Sequence, residues 1–295
     1  KIESMEIIND STTLYINVVE NFSDNGTLIL TGGTFGNFNN RSEISDHLEF
    51  SINGMYFSHD FITFQTVAIG QPTIHLDQDA VYVLSDGESE MVSVTIQEDH
   101  DYVSLSTGKT ITLILPEGIN WPSDVSSFNQ SPYLVNANSH NDSLTFFVQG
   151  DWSGDQSIEL NGLNLSFSSI VEESLMKFST NGGQTINHFS DNSLRVGQPI
   201  VEFIEPGTRY YVMNDEQIDM DEMYYKENNT VGVALVSKGI KIVIPDNLFL
   251  TWDPDFNIIQ KTGSAAIKVT DLVSFESDNK VLVIDVTTDF SPGDS

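Results

Sequence analysis

Closely spaced acidic side chains are the feature of this sequence most suited to chemistry. Five predicted loops each place two or three carboxylates within a few residues. Carboxylates grouped in this way supply several of the about six to eight oxygen ligands that a calcium ion takes. None of the loops has the central glycine and final glutamate of the complete calcium loop, and the alternative is that the carboxylates are simply solvated. The predicted calcium ligands are Asp77 and Asp79, Asp86 and Glu88, Asp99 and Asp101, Asp219 and Asp221, and Asp253 and Asp255.

Residues that could perform catalysis form no recognisable site in the sequence. The histidines are not in a His-Glu-x-x-His pattern, and there is no Gly-x-Ser-x-Gly elbow, phosphate-binding loop or dinucleotide fingerprint. Because the chain has no cysteine, thiol catalysis, disulfides and cysteine zinc sites are excluded. A carboxylate pair of the glycosidase kind could be assembled only by folding. The sequence therefore predicts that the protein is not an enzyme.

The net charge argues against two classes of partner. The chain has 295 residues with 43 acidic and 12 basic side chains, which gives a formal charge of −31. A polyanion without a basic cluster repels phosphate backbones and anionic lipid headgroups, so neither nucleic acid nor a membrane surface is a predicted partner. The apolar stretches are far shorter than the about 20 residues that span a bilayer, which predicts no membrane insertion. A hydrophobic fraction of 39% still allows buried cores.

Alternation of apolar and polar residues predicts strands along most of the chain. Clear examples are Met91–Ile96, Ile111–Leu115, Leu144–Val148 and Val281–Val286. Turn-forming residues, such as Asn181-Gly-Gly183, separate these segments. Because each sheet must bury one face, the pattern predicts an all-β protein of tandem antiparallel β-sandwich modules, either Ig-like or jelly-roll-like.

The sequence also repeats itself. A strand that ends at a proline and is followed by a tryptophan occurs at Ile111–Trp121 and again at Ile240–Trp252. Gly70-Gln-Pro72 recurs 127 positions later as Gly197-Gln-Pro199. A strand followed by an aromatic residue and a serine occurs three times, at Leu14–Ser23, Leu144–Ser153 and Val281–Ser291. Matches in the same order predict a repeat of about 127 residues.

The repeat predicts how the chain is divided. Residues 73–199 are expected to form one complete β-sandwich, residues 1–72 the C-terminal part of a preceding repeat, and residues 200–295 the N-terminal part of a following repeat. Two interpretations fit this division. Either the chain is a window from a longer tandem array, or incomplete modules of neighbouring molecules complete each other head to tail by strand complementation.

Three segments carry a resemblance to a known class of proteins. Leu115-Pro-Glu-Gly-Ile-Asn-Trp121, Leu144-Thr-Phe-Phe-Val148 and Ser153-Gly-Asp-Gln-Ser-Ile-Glu-Leu-Asn-Gly-Leu163 resemble the tandem β-sandwich (Ig-like) repeats of large prokaryotic extracellular and surface-layer-type proteins and adhesins. The resemblance covers essentially the whole chain. It implies export to the cell exterior and an architectural or adhesive role, and it supplies no catalytic residues.

Export would also expose Asn-x-Ser/Thr triplets to glycosylation. Asn25 and Asn141, both in predicted turns, are the strongest candidates. The sequence as a whole predicts a non-enzymatic structural protein of the cell exterior, a segment of a surface layer, filament, stalk or adhesin. Its predicted partners are neighbouring repeats or subunits of the same protein, together with glycans. The alternative is a carbohydrate-binding or adhesive module, in which Tyr224 and Tyr225 would contact the ligand.

Overall fold

The structure is a computed structural model whose described part falls into two compact units, residues 1–39 and residues 40–295. The described residues are 2–8, 13–24, 27–36, 40–43, 46–47, 50–52, 55–57, 66–84, 87–125, 132–162, 164–204, 222–255 and 261–295.

The first unit contains a β-hairpin with an apolar surface. Strands β1 (Ile2–Ile8) and β2 (Thr13–Val18) pair antiparallel, with Ile7 opposite Leu14. Both of these side chains are exposed, as is the rest of β1. A two-stranded ribbon buries little apolar area by itself, so this hairpin leaves hydrophobic side chains in contact with solvent.

The second unit begins with four short strands that form two nested antiparallel pairs. The outer pair joins β3 to β6, and the inner pair joins β4 to β5. These strands are β3 (Asp46–His47), β4 (Phe50–Ile52), β5 (Met55–Phe57) and β6 (Thr66–Val67).

Residues 73–197 form a two-layer sandwich of twelve strands. One layer is a six-stranded sheet in the order β13-β14-β11-β17-β18-β8, and β8 runs parallel to its neighbour β18. The other strands form two three-stranded sheets, β15-β10-β7 and β12-β16-β9. The strands are β7 (Thr73–Leu76), β8 (Ala80–Val83), β9 (Glu88–Glu90), β10 (Val94–Gln97), β11 (Thr110–Ile114), β12 (Ile119–Asn120), β13 (Leu134–His140), β14 (Ser143–Val148), β15 (Ser157–Leu160), β16 (Asn164–Phe167), β17 (Val171–Ser179) and β18 (His188–Gly197).

The alternating side chains of this sandwich meet in one hydrophobic core. Leu113 of β11 and its neighbours Leu144 and Phe146 of β14 are fully buried, and Ile74 of β7 lies in the same core. Burying one such side chain contributes about 1.5–3 kcal/mol. The core therefore accounts for the two-layer arrangement, because each sheet covers the apolar face of the other.

Tryptophans close the core beside a turn. The backbone N–H of Trp121 donates to the carbonyl oxygen of Asn141 at 2.8 Å, and its indole N–H donates to that of Asp142 at 2.9 Å. Trp121 and Trp152 are both buried. Each belongs to the packed core, as the sequence motif predicts.

The C-terminal part of the second unit has smaller sheets and a smaller core. β19 (Ile200–Phe203) pairs with β20 (Met223–Lys226), and β21 (Ile240–Val243), β23 (Val281–Val286) and β22 (Val269–Glu276) form a three-stranded sheet in that order. A short 3₁₀ turn, Ala266–Lys268, precedes β22. The buried core comprises Ala234, Ala265, Val286 and Phe290.

The predicted all-β class is confirmed. Among the residues that the structure describes, the strand pairs are antiparallel except for the parallel pair of β8 and β18. Within the described ranges, no helix combines the length and the hydrophobicity needed to cross a lipid bilayer.

Candidate functional site

Arg41 neutralises two of the predicted calcium ligands. Its guanidinium donates to Asp99 at 2.5 and 2.9 Å and to Asp101 at 2.6 Å, and it stacks over the ring of Tyr102. The Arg41 interaction holds the pKa of the Asp99 carboxyl well below its usual range. An arginine paired with both carboxylates lowers the local negative charge that calcium would require.

Asp99 also fixes the backbone around it. Its Oδ1 accepts the amide hydrogens of Asp101 and Tyr102, and its Oδ2 accepts that of Gln71 at 3.0 Å. Nearby, the amide of Ser42 donates to the carbonyl of Ile69 at 2.9 Å. These bonds fasten the segments around residues 41 and 70 to the loop that follows β10.

Asp79 has a structural role in the central sandwich. Its Oδ1 accepts hydrogen bonds from the amide and the hydroxyl of Ser193, at 2.7 and 2.9 Å. The hydrogen bond from the Ser193 amide is the main cause that lowers the pKa of the Asp79 carboxyl. Asp77, two residues away, is exposed. The structure therefore uses Asp79 to join the turn before β8 to strand β18.

Of the other predicted calcium ligands, the structure describes Glu88, Asp253 and Asp255. Glu88 lies exposed on β9, while Asp253 accepts the amide hydrogen of Asp255 at 3.0 Å. Among the residues that the structure describes, no group of three or more histidine, cysteine, aspartate or glutamate side chains is arranged to hold a metal ion. Asp86, Asp219 and Asp221 lie outside the described residues. Calcium binding remains a prediction.

Asn141 stands where a glycan would have access to it. It occupies the turn between β13 and β14 with a φ of 50°, in the left-handed region that asparagine tolerates better than most residues, and it is exposed. Its carbonyl oxygen is held by Trp121, so the turn is fixed while the side chain faces solvent. Asn25 lies outside the described residues.

A buried glutamate organises one end of the central sandwich. Glu98 is 2% exposed, and its Oε2 accepts the amide hydrogens of Ser104 at 3.1 Å and Leu105 at 2.6 Å. The carbonyl of Leu105 accepts the amide of Trp152 at 3.1 Å, and the amide of Glu98 donates to Gln156 at 2.9 Å. A buried carboxylate is tolerated because it satisfies several backbone donors in return.

The C-terminal part contains a related arrangement 129 residues later, with fewer hydrogen bonds to the glutamate. Glu227 is 1% exposed and accepts the amide hydrogen of Ala234 at 2.7 Å. The carbonyl of Ala234 accepts the amide of Phe290 at 2.9 Å, and the amide of Glu227 donates to Asp294 at 2.8 Å. The hydroxyl of Tyr225 donates to Glu227 at 2.8 Å. Both glutamates thus occupy matching networks beside a buried aromatic residue.

Two strand pairs also share one register. Thr73–Leu76 of β7 pairs with Val94–Gln97 of β10, Leu76 standing opposite Val94. Ile200–Phe203 of β19 pairs with Met223–Lys226 of β20 in the same antiparallel order, Phe203 standing opposite Met223. Each residue of β7 has its counterpart in β19 127 positions later, which is the spacing of the repeated Gly-Gln-Pro motif.

Exposure distinguishes the two ladders. Ile74 of β7 is fully buried, whereas Val201, the corresponding residue of β19, is 56% exposed. Phe203 is 50% exposed, although its counterpart Leu76 is buried. The C-terminal ladder therefore presents to solvent a face that is core in the central sandwich.

Tyr224 and Tyr225 face different surroundings. Tyr224 is 39% exposed on β20, while Tyr225 packs edge-on against Phe290 and donates its hydroxyl to Glu227. Burial is the main cause that raises the pKa of the Tyr225 phenol well above its usual range. The two tyrosines do not form the paired exposed contact that a sugar-binding role would use.

A shallow depression lies on the outer surface of the central sandwich. It is lined by Pro116, Glu117, Ser174, Leu175, Lys177 and Phe189. Phe189 is about half-exposed beside one carboxylate and one amine. This surface has polar groups beside an aromatic ring, but it contributes a single carboxylate rather than the pair that glycoside hydrolysis uses.

Sequence reasoning missed the two residues that organise these networks. Arg41 lies far along the chain from Asp99, so no local pattern links them. Glu98 directly precedes the predicted calcium ligand Asp99 in an acidic segment, and no local pattern distinguishes its buried side chain from its exposed neighbours. The signal that could have distinguished it is the glutamate at the repeat spacing, Glu227, which likewise follows a strand.

Comparisons with known proteins show little kinship. No protein-family model matches the chain, and no curated protein matches it. Among solved structures, it is similar to the 35 kDa C-terminal fragment of the major pilin GBS80 of Streptococcus agalactiae, with 8% sequence identity and a TM-score of 0.27. The similarity covers 45% of this chain and 57% of that fragment.

Proposed function

We propose that the protein is a non-enzymatic structural component of the cell exterior, built from tandem β-sandwich modules of about 127 residues. The observation that carries the proposal is the common register of the β7–β10 and β19–β20 ladders. Residues 73–199 would be one whole module, and residues 1–72 and 200–295 would be parts of its neighbours. In such an array, function lies in the length, spacing and surface of the modules.

The buried glutamates support the same division. Glu98 and Glu227 each bind the amide of the residue seven positions later, and each of those residues binds the amide of a buried aromatic residue. The amide of each glutamate also donates to a backbone carbonyl, so the two networks share three hydrogen bonds at corresponding positions. The pattern is what duplication of one module would produce.

Charge and surface chemistry support an exterior location. A net charge of −31 keeps a long array dispersed through self-repulsion and discourages contact with nucleic acid. The absence of cysteine makes every module depend on its hydrophobic core, as in residues 73–199. Glycans at exposed Asn141 and calcium at the acidic loops belong to this proposal as predicted additions.

Electron microscopy of the native material tests the proposal. Antibodies raised against residues 73–199 should label the surface of intact producing cells, and labelled material should appear as a fibre, a stalk or a lattice. Label found only after lysis would contradict an exterior location. Label on dispersed single particles would contradict the structural role while leaving the location intact.

A carbohydrate-binding module is the second candidate, and the depression beside Phe189 favours it. An exposed aromatic ring beside polar groups is the usual means of stacking against a sugar. Glycan-array binding that is lost in the Phe189→Ala variant and kept in Tyr224→Ala would support this function. No binding by the unaltered chain would remove it.

A further inference from the structure

Strand β8 has apolar residues on both of its faces. Ala80 and Tyr82 lie in the core of the central sandwich, whereas Val81, between them, points to the opposite side. That side is covered by residues 231–235 of the C-terminal part, with which it forms a second apolar cluster. Val81 is 6% exposed, so this contact excludes solvent. The members of the cluster are Val81, Val83, Ile170, Val231, Val233 and Leu235.

The chain enters the C-terminal part through a close contact at Gly197, which we call the second joint. A Cβ at Gly197 would collide with the side chain of Val233, so only glycine fits there. Gly70, which we call the first joint, has an equivalent contact, because a Cβ there would collide with the carbonyl of Tyr102 and lie 3.2 Å from Ser104. Ser104 and Val233 are 129 positions apart, as are the two buried glutamates. The two joints therefore share this close approach.

One strand contact aligns the residues around the two joints. The amide of Ser42 donates to the carbonyl of Ile69, the residue before the glycine of the first joint, at 2.9 Å. Val171 pairs with Val196, the residue before the glycine of the second joint. Ser42 and Val171 are therefore equivalent. The residues that precede them, which are Arg41 and Ile170, occupy the same position at the two joints.

The side chains at these equivalent positions differ in their chemistry. At the first joint, Arg41 binds the carboxylates of Asp99 and Asp101. At the second joint, the equivalents of the two carboxylates are Asn228 and Thr230, which hydrogen-bond to each other at 2.8 Å. The equivalent of Arg41 there belongs to the apolar cluster. The first joint is therefore held by charge and the second by apolar packing.

We propose that each joint is a fixed docking contact between consecutive modules, and that the first joint loosens when its charges are screened or removed. Arg41 and Asp101 are 35% and 53% exposed, so counterions can reach their ion pair. The apolar contact of the second joint has no such dependence, because burial of apolar surface involves no charge. The proposal rests on the proposed function, since it takes both joints as boundaries between modules. Bending of the array would then occur at the first joint and increase with ionic strength.

The absence of cysteine allows spin labels to be placed at chosen pairs of positions in the full-length chain. Glu90, exposed on β9, serves as the reference in the central sandwich. Exposed Glu43 reports on the first joint and exposed Asp285 on the second. Pulsed electron spin resonance then gives the distribution of distances for the pairs 43/90 and 90/285.

Both distributions should be narrow in about 0.1 M salt, where the Debye length is about 10 Å. In about 1 M salt, where that length is about 3 Å, we expect the 43/90 distribution to widen about twofold and the 90/285 distribution to stay narrow. Arg41→Gln should widen the 43/90 distribution already at low salt and remove its response to salt. Lys109→Gln, which also removes one exposed positive charge, is the matched control and should change neither distribution.

Val233→Asn, which places an amide in the apolar cluster, should widen the 90/285 distribution alone. Circular dichroism verifies that the labelled variants are folded. A 43/90 distribution that keeps its width in Arg41→Gln would overturn the ionic joint. A broad 90/285 distribution in the chain with Arg41 and Val233 intact would overturn fixed docking. Either result leaves the proposed function to the antibody labelling of cells, because modules joined flexibly can still form an exterior array.

Discussion

The buried carboxylate of Glu98 accepts a hydrogen bond from the backbone amide of Leu105 at 2.6 Å. Both groups are out of contact with solvent, and the same glutamate also holds the amides of Asp99 and Ser104. The Glu98 side chain thus accepts hydrogen bonds from three backbone amides of a loop that is not part of any sheet. The loop between β10 and β11 depends on this carboxylate for its conformation.

Removing this carboxylate should destabilise the protein strongly. Glu98→Ala leaves buried amides without an acceptor, and we expect a loss of about 3 kcal/mol in the free energy of unfolding. Glu98→Gln keeps an acceptor oxygen and should cost about half as much. Urea denaturation of the variants provides the measurement. Glu172→Gln, at an exposed position of β17, is the control and should change stability by less than about 0.5 kcal/mol. Equal stability of Glu98→Ala and the control would refute the role of Glu98.

The pairing of Asp99 with Arg41 should make stability depend on pH in the acidic range. The pKa of Asp99 is lowered in the folded state, so its contribution is complete above its unfolded pKa of about 3.9 and is lost as pH falls below that value. We expect Asp99→Asn to lower the melting temperature at pH 7. The difference from the unaltered chain should shrink progressively below pH of about 4. A difference that stays constant from pH 7 to pH 2.5 would contradict this account, for which thermal melts across the range suffice.

Gly70 should not tolerate a side chain. A Cβ at this position would lie 1.8 Å from the carbonyl oxygen of Tyr102, which is backbone and cannot rotate away. Gly70→Ala should therefore lower the free energy of unfolding by about 1–3 kcal/mol. Gly36→Ala serves as the control because a Cβ there meets no atom within 4 Å. If the two variants melt at the same temperature, the close approach of residues 70 and 102 is wrong.

Calcium binding, if the acidic loops provide it, should appear as added stability. A ligand that binds only the folded state stabilises it by about 2.7 kcal/mol at a concentration about 100 times its Kd. We expect the melting temperature to rise on addition of calcium and to fall again with a chelator. The double variant Asp253→Asn, Asp255→Asn should lose part of this effect if that loop contributes ligands. Identical melting curves with calcium and with chelator would dispose of the hypothesis.

The sequence predicted the class of the fold because side-chain alternation is a local property. The buried residues of β11 and β14 follow directly from the alternating segments at Ile111 and Leu144. The parallel pairing of β8 with β18 could not be predicted, because it joins residues 80–83 to residues 194–197 and no local pattern encodes it.

The chemistry of individual acidic residues was less predictable than the strands. Their spacing in the sequence does not distinguish Asp79, Glu98 and Asp99 from carboxylates that remain solvated. Their roles depend on Ser193, Arg41 and Leu105, and the first two of these partners lie more than 50 residues away. A carboxylate that accepts hydrogen bonds from backbone amides and one that could bind a cation differ only in the groups that the fold places next to them.

Autonomous folding of residues 73–199 tests the central claim most directly. If these residues are one module with its own core, the isolated segment should unfold in a single cooperative transition, with the same midpoint by far-ultraviolet circular dichroism and by tryptophan fluorescence. Trp121 and Trp152, buried in this core, report on its packing. A segment that shows no cooperative transition, or that folds only when residues 1–72 or 200–295 are restored, would contradict the account.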